Sequence, residues 1–242
     1  MKKITSLLSI LLCIQTFAGE PLFLEGNKQY TNGDYLAAIA LYDSILINQM
    51  ESSELYYNLG NCYYKTQDWA NAIWHYEKSL QLKKNEKTIQ NLELVKLKII
   101  DRIEPLPQLF YKKWWSSLTQ LLNTQAWQIL ALLCISFIFI LQLISQFTLA
   151  KNRLITKIFS ILSVIILLIT QTSFHNNSTK KEAIIFSETI TVNSAPTNNS
   201  VNLFTLHAGS KVEIIDSIGN WINIKIDNGN SGWIIQNSIK EL

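Results

Sequence analysis

Charged residues are scarce in this sequence. They make up 16% of its 242 residues, against about 25% in ordinary soluble domains, whereas hydrophobic residues make up 48%. The deficit is concentrated in residues 105–179, which contain five cations and no acid. The net charge of +3 therefore belongs to an apolar segment and the N-terminal tail. This distribution argues against a nucleic-acid-binding protein, whose basic patch would lie on a soluble domain, and against a single soluble enzyme.

Cysteine, glycine and histidine are also few. Of the three cysteines, Cys13 and Cys134 lie in apolar runs and only Cys62 lies elsewhere, so no intrachain disulfide is expected. The eight glycines form no phosphate-binding loop. The three histidines fall in different segments, and none is paired with a nucleophile motif: His75, His175 and His207. We therefore expect no catalytic residue, metal site or cofactor, and we expect the chain not to be an enzyme.

Residues 1–18 have the order of a secretory signal peptide. Lys2 and Lys3 precede an apolar run, and small residues end at Ala18, where cleavage is expected. The alternative is that the segment remains as an uncleaved anchor. In both cases residues 19 onward are expected outside the cytoplasm.

Residues 26–46 and 60–80 repeat one another at a spacing of 34 residues. Eight of these 21 positions are identical, where composition alone would give about one or two. The identical pairs are Gly26/Gly60, Asn27/Asn61, Tyr30/Tyr64, Asp34/Asp68, Ala38/Ala72, Ile39/Ile73, Tyr42/Tyr76 and Leu46/Leu80. A self-similarity of this length predicts an array of helix–turn–helix units. Residues 86–103 continue the helical spacing of apolar residues and are predicted to form a capping helix.

Residues 19–104 resemble the tetratricopeptide-repeat family through Leu59-Gly60, Tyr63-Tyr64, Asp68-Trp69, Ala72-Ile73 and Tyr76. The resemblance implies a concave groove that binds a peptide or a helix of a partner. The groove residues that it implies are Asn27, Tyr30, Asn58, Asn61, Tyr64, Lys65 and Asn91. Some family members clamp a C-terminal carboxylate there, but Phe23, Thr88 and Leu92 stand at the positions of the clamp's cations. The alternative is that the asparagines hydrogen-bond backbone or water.

Residues 105–172 are predicted to enter and cross a membrane. In residues 105–125, Trp114 and Trp115 accompany two lysines, which is typical of an amphipathic helix at a lipid interface; a loop with incidental tryptophans is the alternative. Residues 126–149 and 154–172 are apolar and long enough to be transmembrane helices. Residues 150–153 form a turn between them, which the positive-inside rule places in the cytoplasm. Two spans return the chain to the side from which it started.

Residues 182–242 follow a polar tether at 173–181 and carry short β-rich runs. Strands are predicted at residues 182–186, 189–192, 211–215, 221–226 and 232–235, because apolar and polar residues alternate there. Asn228-Gly229 lies between the last two runs and is typical of a hairpin turn. The segment is therefore predicted to be all β.

The same segment resembles the bacterial SH3-like domain family. The matching residues are Val192-Asn193-Ser194-Ala195-Pro196, Gly209, Asn220-Trp221-Ile222 and Gly232-Trp233-Ile234. The resemblance implies a small barrel that recognises an extended peptide or a cell-wall stem peptide on an aromatic surface. The candidate surface residues are Trp221, Trp233 and Phe204. Alternatively, Trp233 closes the barrel.

The order of these segments over nearly the full chain resembles the BatE-type family of the Bat aerotolerance operon. The stretch from Pro105-Leu106-Pro107 to Trp114-Trp115 makes this resemblance sharper than the repeats alone do. It implies an inner-membrane scaffold that faces the periplasm. Its implied partners are other Bat proteins, some of which carry von Willebrand-type domains.

The sequence thus predicts a multidomain membrane protein with all-α tetratricopeptide-type helical repeats, two transmembrane helices and a small all-β SH3-like barrel. We expect a multi-pass protein of the inner (cytoplasmic) membrane with both soluble domains on the extracytoplasmic side. The predicted function is a non-catalytic scaffold for other membrane proteins. The alternative is a cell-envelope sensor or tether that binds peptidoglycan through the SH3-like domain. Nucleic acid is not an expected partner.

Overall fold

The computed structural model of the chain describes residues 20–107, 109–119, 121–122, 124–147, 153–179 and 181–242. The predicted signal peptide lies outside these residues, as does most of the predicted turn at 150–153. The chain divides into two compact units. The first combines the described residues up to Pro105 with Lys181–Leu242, and the second comprises the described residues between Leu106 and Lys180.

Five helices form the N-terminal part of the first unit. They are α1 (Glu20–Asn32), α2 (Tyr35–Ile47), α3 (Ser53–Lys65), α4 (Trp69–Leu82) and α5 (Glu86–Lys96). Each of the last four begins after a side chain that accepts a hydrogen bond from a backbone N–H of the first turn. These capping residues are Asp34, Ser52, Asp68 and Asn85. The predicted capping helix is shorter than residues 86–103, because α5 ends at Lys96.

A glycine opposite a tyrosine brings the two helices of each repeat together. A Cβ built on Gly26 would lie 2.5 Å from the ring of Tyr42, and one on Gly60 would lie 2.6 Å from the ring of Tyr76. Both tyrosines are fully buried, with 1% of their surface exposed. The identical glycine and tyrosine positions of the repeat are therefore explained by close helix packing, which no larger side chain would permit.

Seven strands form one antiparallel sheet in the C-terminal part of the first unit. They are β1 (Lys181–Ile185), β2 (Thr189–Asn193), β3 (Asn202–His207), β4 (Lys211–Ile218), β5 (Trp221–Lys225), β6 (Ser231–Ile235) and β7 (Ile239–Glu241). Their order in the sheet is β3-β2-β6-β5-β4-β1-β7. Alternate side chains of these strands enclose an apolar core that includes Val192, Val212, Ile222, Ile224 and Ile234.

The sheet is open, which corrects the predicted barrel. Its edges are β3 and β7, two strands that the alternation pattern does not predict. Among the described residues β7 pairs only with β1. Instead of closing on β3, it lies against α4, where the carbonyl oxygen of Glu241 accepts a hydrogen bond of 2.8 Å from Nε1 of Trp74.

The second unit consists of three helices: α6 (Phe110–Thr119), α7 (Thr124–Phe147) and α8 (Arg153–Thr179). The rings of Phe137 and Phe159 lie 4.7 Å apart, and the hydroxyls of Thr124 and Ser173 lie 3.1 Å apart. The start of α7 therefore meets the end of α8, and the two helices are antiparallel. Helix α8 continues through most of the segment predicted to be a tether, residues 173–181.

Both long helices are long and apolar enough to cross a membrane, over Thr124–Leu143 and Lys157–Phe174. Most of their apolar side chains are exposed in the unit, including Leu132 (65%) and Ile161 (65%). Inside the unit, a small cluster of Trp127, Ala131, Ile166 and Ile169 joins the helices.

Candidate functional site

The groove asparagines of the first repeat hold a tyrosine hydroxyl in place. Oδ1 of Asn27 on α1 accepts a hydrogen bond of 2.7 Å from the hydroxyl of Tyr42 and one of 2.9 Å from Nδ2 of Asn58 on α3. Burial raises the pKa of Tyr42 to about 12, so its hydroxyl keeps its proton and donates at neutral pH. One amide oxygen thus links three helices.

The second repeat has the same arrangement. Oδ1 of Asn61 accepts 2.7 Å from the hydroxyl of Tyr76 and 2.8 Å from Nδ2 of Asn91 on α5. Nδ2 of Asn91 also donates to the hydroxyl of Tyr57 at 3.3 Å. The asparagines that the sequence assigned to the groove therefore bond to neighbouring side chains and fix the relative positions of α1, α3 and α5.

A cavity of about 190 Å³ lies beside the second of these networks. Its lining includes five of the seven predicted groove residues, and it adds Tyr76 and Leu94: Tyr30, Asn61, Tyr64, Lys65, Tyr76, Asn91 and Leu94. Asn27 and Asn58 lie in the other network and do not line it. Sequence reasoning missed Leu94, although it lies three residues after Asn91 and hence on the same face of α5.

The cavity offers rings, amides and one cation. Burial raises the pKa of Tyr30 and of Tyr76, so both phenols stay neutral. Lys65 is exposed and is the lining residue that carries charge. Leu94 is 52% exposed and adds apolar surface at the rim. Aromatic rings with a few polar groups are typical of the lining of a binding pocket.

The sheet packs against α4. Most of the residues that line the cavity lie on other helices. Nζ of Lys211 on β4 lies 3.0 Å from a carboxylate oxygen of Glu77 on α4 and 2.7 Å from one of Glu182 on β1. Burial lowers the pKa of Lys211, but the two carboxylates outweigh it and raise the pKa above its ordinary value. Nζ of Lys240 lies 3.5 Å from the ring centroid of Trp74. The repeats and the sheet are therefore held together by charges as well as apolar contacts.

A second contact joins the segment after α5 to the sheet. The carboxylate of Asp101 accepts hydrogen bonds from the backbone N–H of His207 (2.6 Å), from its Nδ1 (2.8 Å) and from Oγ of Ser210 (2.5 Å). Burial raises the pKa of Asp101, but these donors lower it by more, so its pKa lies below the ordinary value. Sequence reasoning missed this cluster because Asp101 lies more than 100 residues before His207 and Ser210.

Asp, His and Ser are the residue types of a hydrolase triad, but this arrangement differs from one. Both His207 and Ser210 donate to the same carboxylate, whereas a triad needs the hydroxyl to bond the imidazole. Ser210 is also only 1% exposed, so a substrate could not reach its hydroxyl. The cluster fastens the sheet to the helical part.

The three predicted aromatic residues of the sheet do not form one surface. Trp221 on β5 and Trp233 on β6 are half-buried, and they share the outer face because Asn223 pairs with Trp233 and lies two residues from Trp221. Phe204 on β3 instead packs against the core of the sheet. The sheet therefore presents two tryptophans on one face.

The fold defines a class of protein. Paired helices that repeat at 34 residues, and join through tyrosine–glycine contacts, define a helical-repeat protein of the kind that binds other proteins. A family model described as "Tetratricopeptide repeat" matches residues 53–86, which include all of α3 and α4. The resemblance of this segment is thereby confirmed. No curated protein matches the chain.

Proposed function

We propose that this chain is a membrane-anchored, non-catalytic scaffold that binds a segment of a partner protein in the groove of its helical repeats. The observation that carries the proposal is the cavity of about 190 Å³ between Tyr30, Tyr64, Lys65 and Leu94. It lies within the part of the molecule that matches a tetratricopeptide repeat and its neighbouring helices. Repeats of this family act in protein–protein interaction in general.

The buried thiol supports a role without catalysis. Cys62 is fully buried, and burial raises its pKa to about 12. A protonated, inaccessible thiol is not a nucleophile. His75 is 3% exposed, and its Nδ1 lies 2.8 Å from the carbonyl oxygen of Asn71. Neither residue is available to a substrate.

Helices α7 and α8 are the proposed membrane anchor. They form an antiparallel pair in which the start of α7 meets the end of α8, at Thr124 and Ser173. Because both ends of such a pair emerge on one side of a bilayer, the repeats and the sheet share a compartment. With an exported N-terminus, that compartment is the periplasm, and the anchor lies in the inner membrane.

The order of segments also supports a finer assignment to the BatE-type family. A Pro-Leu-Pro sequence follows the repeats, Trp114-Trp115 precede the two apolar helices, and a β-rich segment with Gly232-Trp233 ends the chain. On this assignment the partners are other Bat membrane proteins, including those with von Willebrand-type domains.

The groove is tested by crosslinking in intact cells, followed by detergent extraction, affinity purification and mass spectrometry. Asn58 and Asn61 are poor targets because they hold the helices together. The variant Lys65→Glu/Leu94→Ala instead changes exposed lining residues. Its matched control is Lys84→Glu/Leu82→Ala, since Leu82 is 51% exposed and Leu94 52%. We expect one set of membrane proteins to be recovered with the wild type and the control and lost from the groove variant. Equal recovery from all three would refute groove binding.

A second candidate function is binding of peptidoglycan by the sheet. It is favoured by the half-buried Trp221 and Trp233 on one outer face, because aromatic side chains bind extended ligands with little loss of entropy. The full chain in detergent would be sedimented with purified cell walls. Binding that disappears in Trp221→Ala/Trp233→Ala but persists in Ile215→Ala, an exposed position on β4, would support it. A chain that stays in the supernatant would eliminate it.

A further inference from the structure

Helix α6 has two distinct faces. At about 100° per residue, five apolar residues fall on one arc of its surface: Phe110, Tyr111, Trp114, Trp115 and Leu118. The opposite arc carries Lys112, Lys113, Ser116 and Ser117. Both serine hydroxyls donate to the backbone oxygen of Lys113. The groups of the polar arc that can bind a ligand are therefore the two lysine ammonium groups.

Only the C-terminal end of the apolar arc is covered. Leu118 packs against the cluster of Trp127, Ala131, Ile166 and Ile169, and Nε1 of Trp127 donates 3.1 Å to the carbonyl oxygen of Thr119. Towards the other end, Trp114 is 79% exposed and Phe110 is 85% exposed. The helix is therefore fixed at one end to the α7–α8 pair and presents large aromatic rings at the other.

Other large apolar side chains of the same unit are exposed as well. Leu121 and Leu122, which follow α6, are exposed, as are Ile129 and Leu132 on α7. The uncovered apolar arc of α6 and the uncovered apolar sides of α7 and α8 occur within the same compact unit. The lipids of a membrane can cover all of these surfaces at once. A soluble partner protein would have to surround the whole helical pair to do the same.

Lys112 and Lys113 indicate the depth in a membrane at which α6 lies. Lys112 and Lys113 are exposed and lie beside tryptophans, which favour the boundary between lipid tails and water. The sequence from 105 to 179 has no acid, and in the described part of it neither lysine forms an ion pair. Two cations that form no ion pair among the described residues suit an anionic surface.

We propose that α6 lies in the headgroup layer of the membrane, with Phe110, Trp114 and Trp115 among the lipid tails and with Lys112 and Lys113 bound to acidic lipid headgroups. The proposal rests on the membrane anchoring proposed above and adds a lipid-binding site to it. The hydrogen bond from Trp127 to Thr119 holds this site at a fixed depth relative to α7.

The test places a photo-crosslinking amino acid, p-benzoylphenylalanine, at one position of the full chain. Position 114 lies on the apolar arc of α6. Position 116 is its matched control on the polar arc, about 160° away around the helix, and position 132 on α7 reports on the span. The protein is reconstituted in vesicles of phosphatidylcholine and phosphatidylglycerol, and mass spectrometry identifies the lipid attached. We expect lipid adducts at 114 and 132 and few at 116.

The headgroup preference is read from the same adducts. We expect the ratio of phosphatidylglycerol to phosphatidylcholine among the adducts at position 114 to exceed the ratio in the vesicle, by up to about fivefold for each lysine. The enrichment should disappear in Lys112→Gln/Lys113→Gln and persist in the control Lys83→Gln/Lys84→Gln.

The possible failures are distinguishable. An absence of lipid adducts at 132 would refute the membrane anchor itself. Adducts at 132 but none at 114 would refute only the interfacial position of α6. Adducts at 114 that mirror the vesicle composition in every variant would refute the acidic headgroup site.

Discussion

Replacing Lys211 by methionine should loosen the junction between the repeats and the sheet. The ammonium group of Lys211 lies within 3.0 Å of carboxylates on two other elements, Glu77 on α4 and Glu182 on β1. Lys211→Met keeps most of the aliphatic stem but removes the charge. The two carboxylates are then left next to one another with no cation between them.

The size of the effect follows from the burial of the three groups. Breaking a buried ion pair by removing one partner costs about 3–5 kcal/mol. The side chains of Lys211 and Glu182 keep 28% and 34% of their surface exposed, whereas that of Glu77 keeps 12%. Water therefore screens part of the remaining repulsion. We expect a loss of about 2–3 kcal/mol in the free energy of opening this junction, below the fully buried case.

Hydrogen exchange of the full chain in detergent measures this loss locally. Backbone amides of α4 and β1 should exchange about 30-fold to 150-fold faster in Lys211→Met, since about 1.4 kcal/mol corresponds to a factor of ten. Lys225→Met, at an exposed position on β5, is the control and should leave these amides unchanged. In Lys211→Met/Glu77→Gln/Glu182→Gln, where no carboxylate is left uncompensated, protection should largely return. Unchanged exchange in Lys211→Met would show that the ion pairs do not hold the junction. No recovery in the triple variant would show that the loss does not come from the uncompensated carboxylates.

Three further predictions concern the helical core. Burial lowers the pKa of His75 to about 4 from its ordinary 6.5, so the unfolded chain binds more protons between these values. The protein should lose about 1.6 kcal/mol of stability from pH 6.5 to pH 5, and denaturant unfolding of His75→Gln should lack this dependence. Gly60→Ala should destabilise the repeats by about 1–3 kcal/mol, because its Cβ would lie 2.6 Å from the ring of Tyr76; a thermal midpoint equal to that of the wild type would contradict the close packing. Tyr76→Phe should cost about 1–2 kcal/mol in denaturant unfolding, since it removes the 2.7 Å hydrogen bond to Asn61, and no loss would mean that the asparagine network does not stabilise the array.

The repeated helices could be predicted because their signal is local and periodic. A 34-residue spacing of glycine, asparagine and tyrosine fixes which residues of neighbouring helices face one another. The resemblance assigns the asparagines at these positions to the groove, and in the structure they bond to Tyr42, Tyr76 and one another. The partners of those amides depend on helix packing, so the sequence left open whether they bind backbone, water or a ligand.

The junction between helices and sheet could not be predicted. Trp74 and Glu241 are 167 residues apart, and Lys211 and Glu77 are 134 apart. No periodicity connects such positions, and each residue type is common on a protein surface. The sequence indicated a repeat domain and a β-rich domain, and it held no sign of the contacts that place both in one compact unit.

The amino-acid sequence alone determined the helical repeats, the two long apolar helices and the β-rich end of the chain. These features follow from spacing and hydropathy, which are properties of neighbouring residues. Only the tertiary structure decided that the sheet is open, that α4 covers its β7 edge and that Asp101 and Lys211 fasten the sheet to the helices. Those outcomes depend on contacts between distant segments, whose free energy is gained only once the elements have formed and packed.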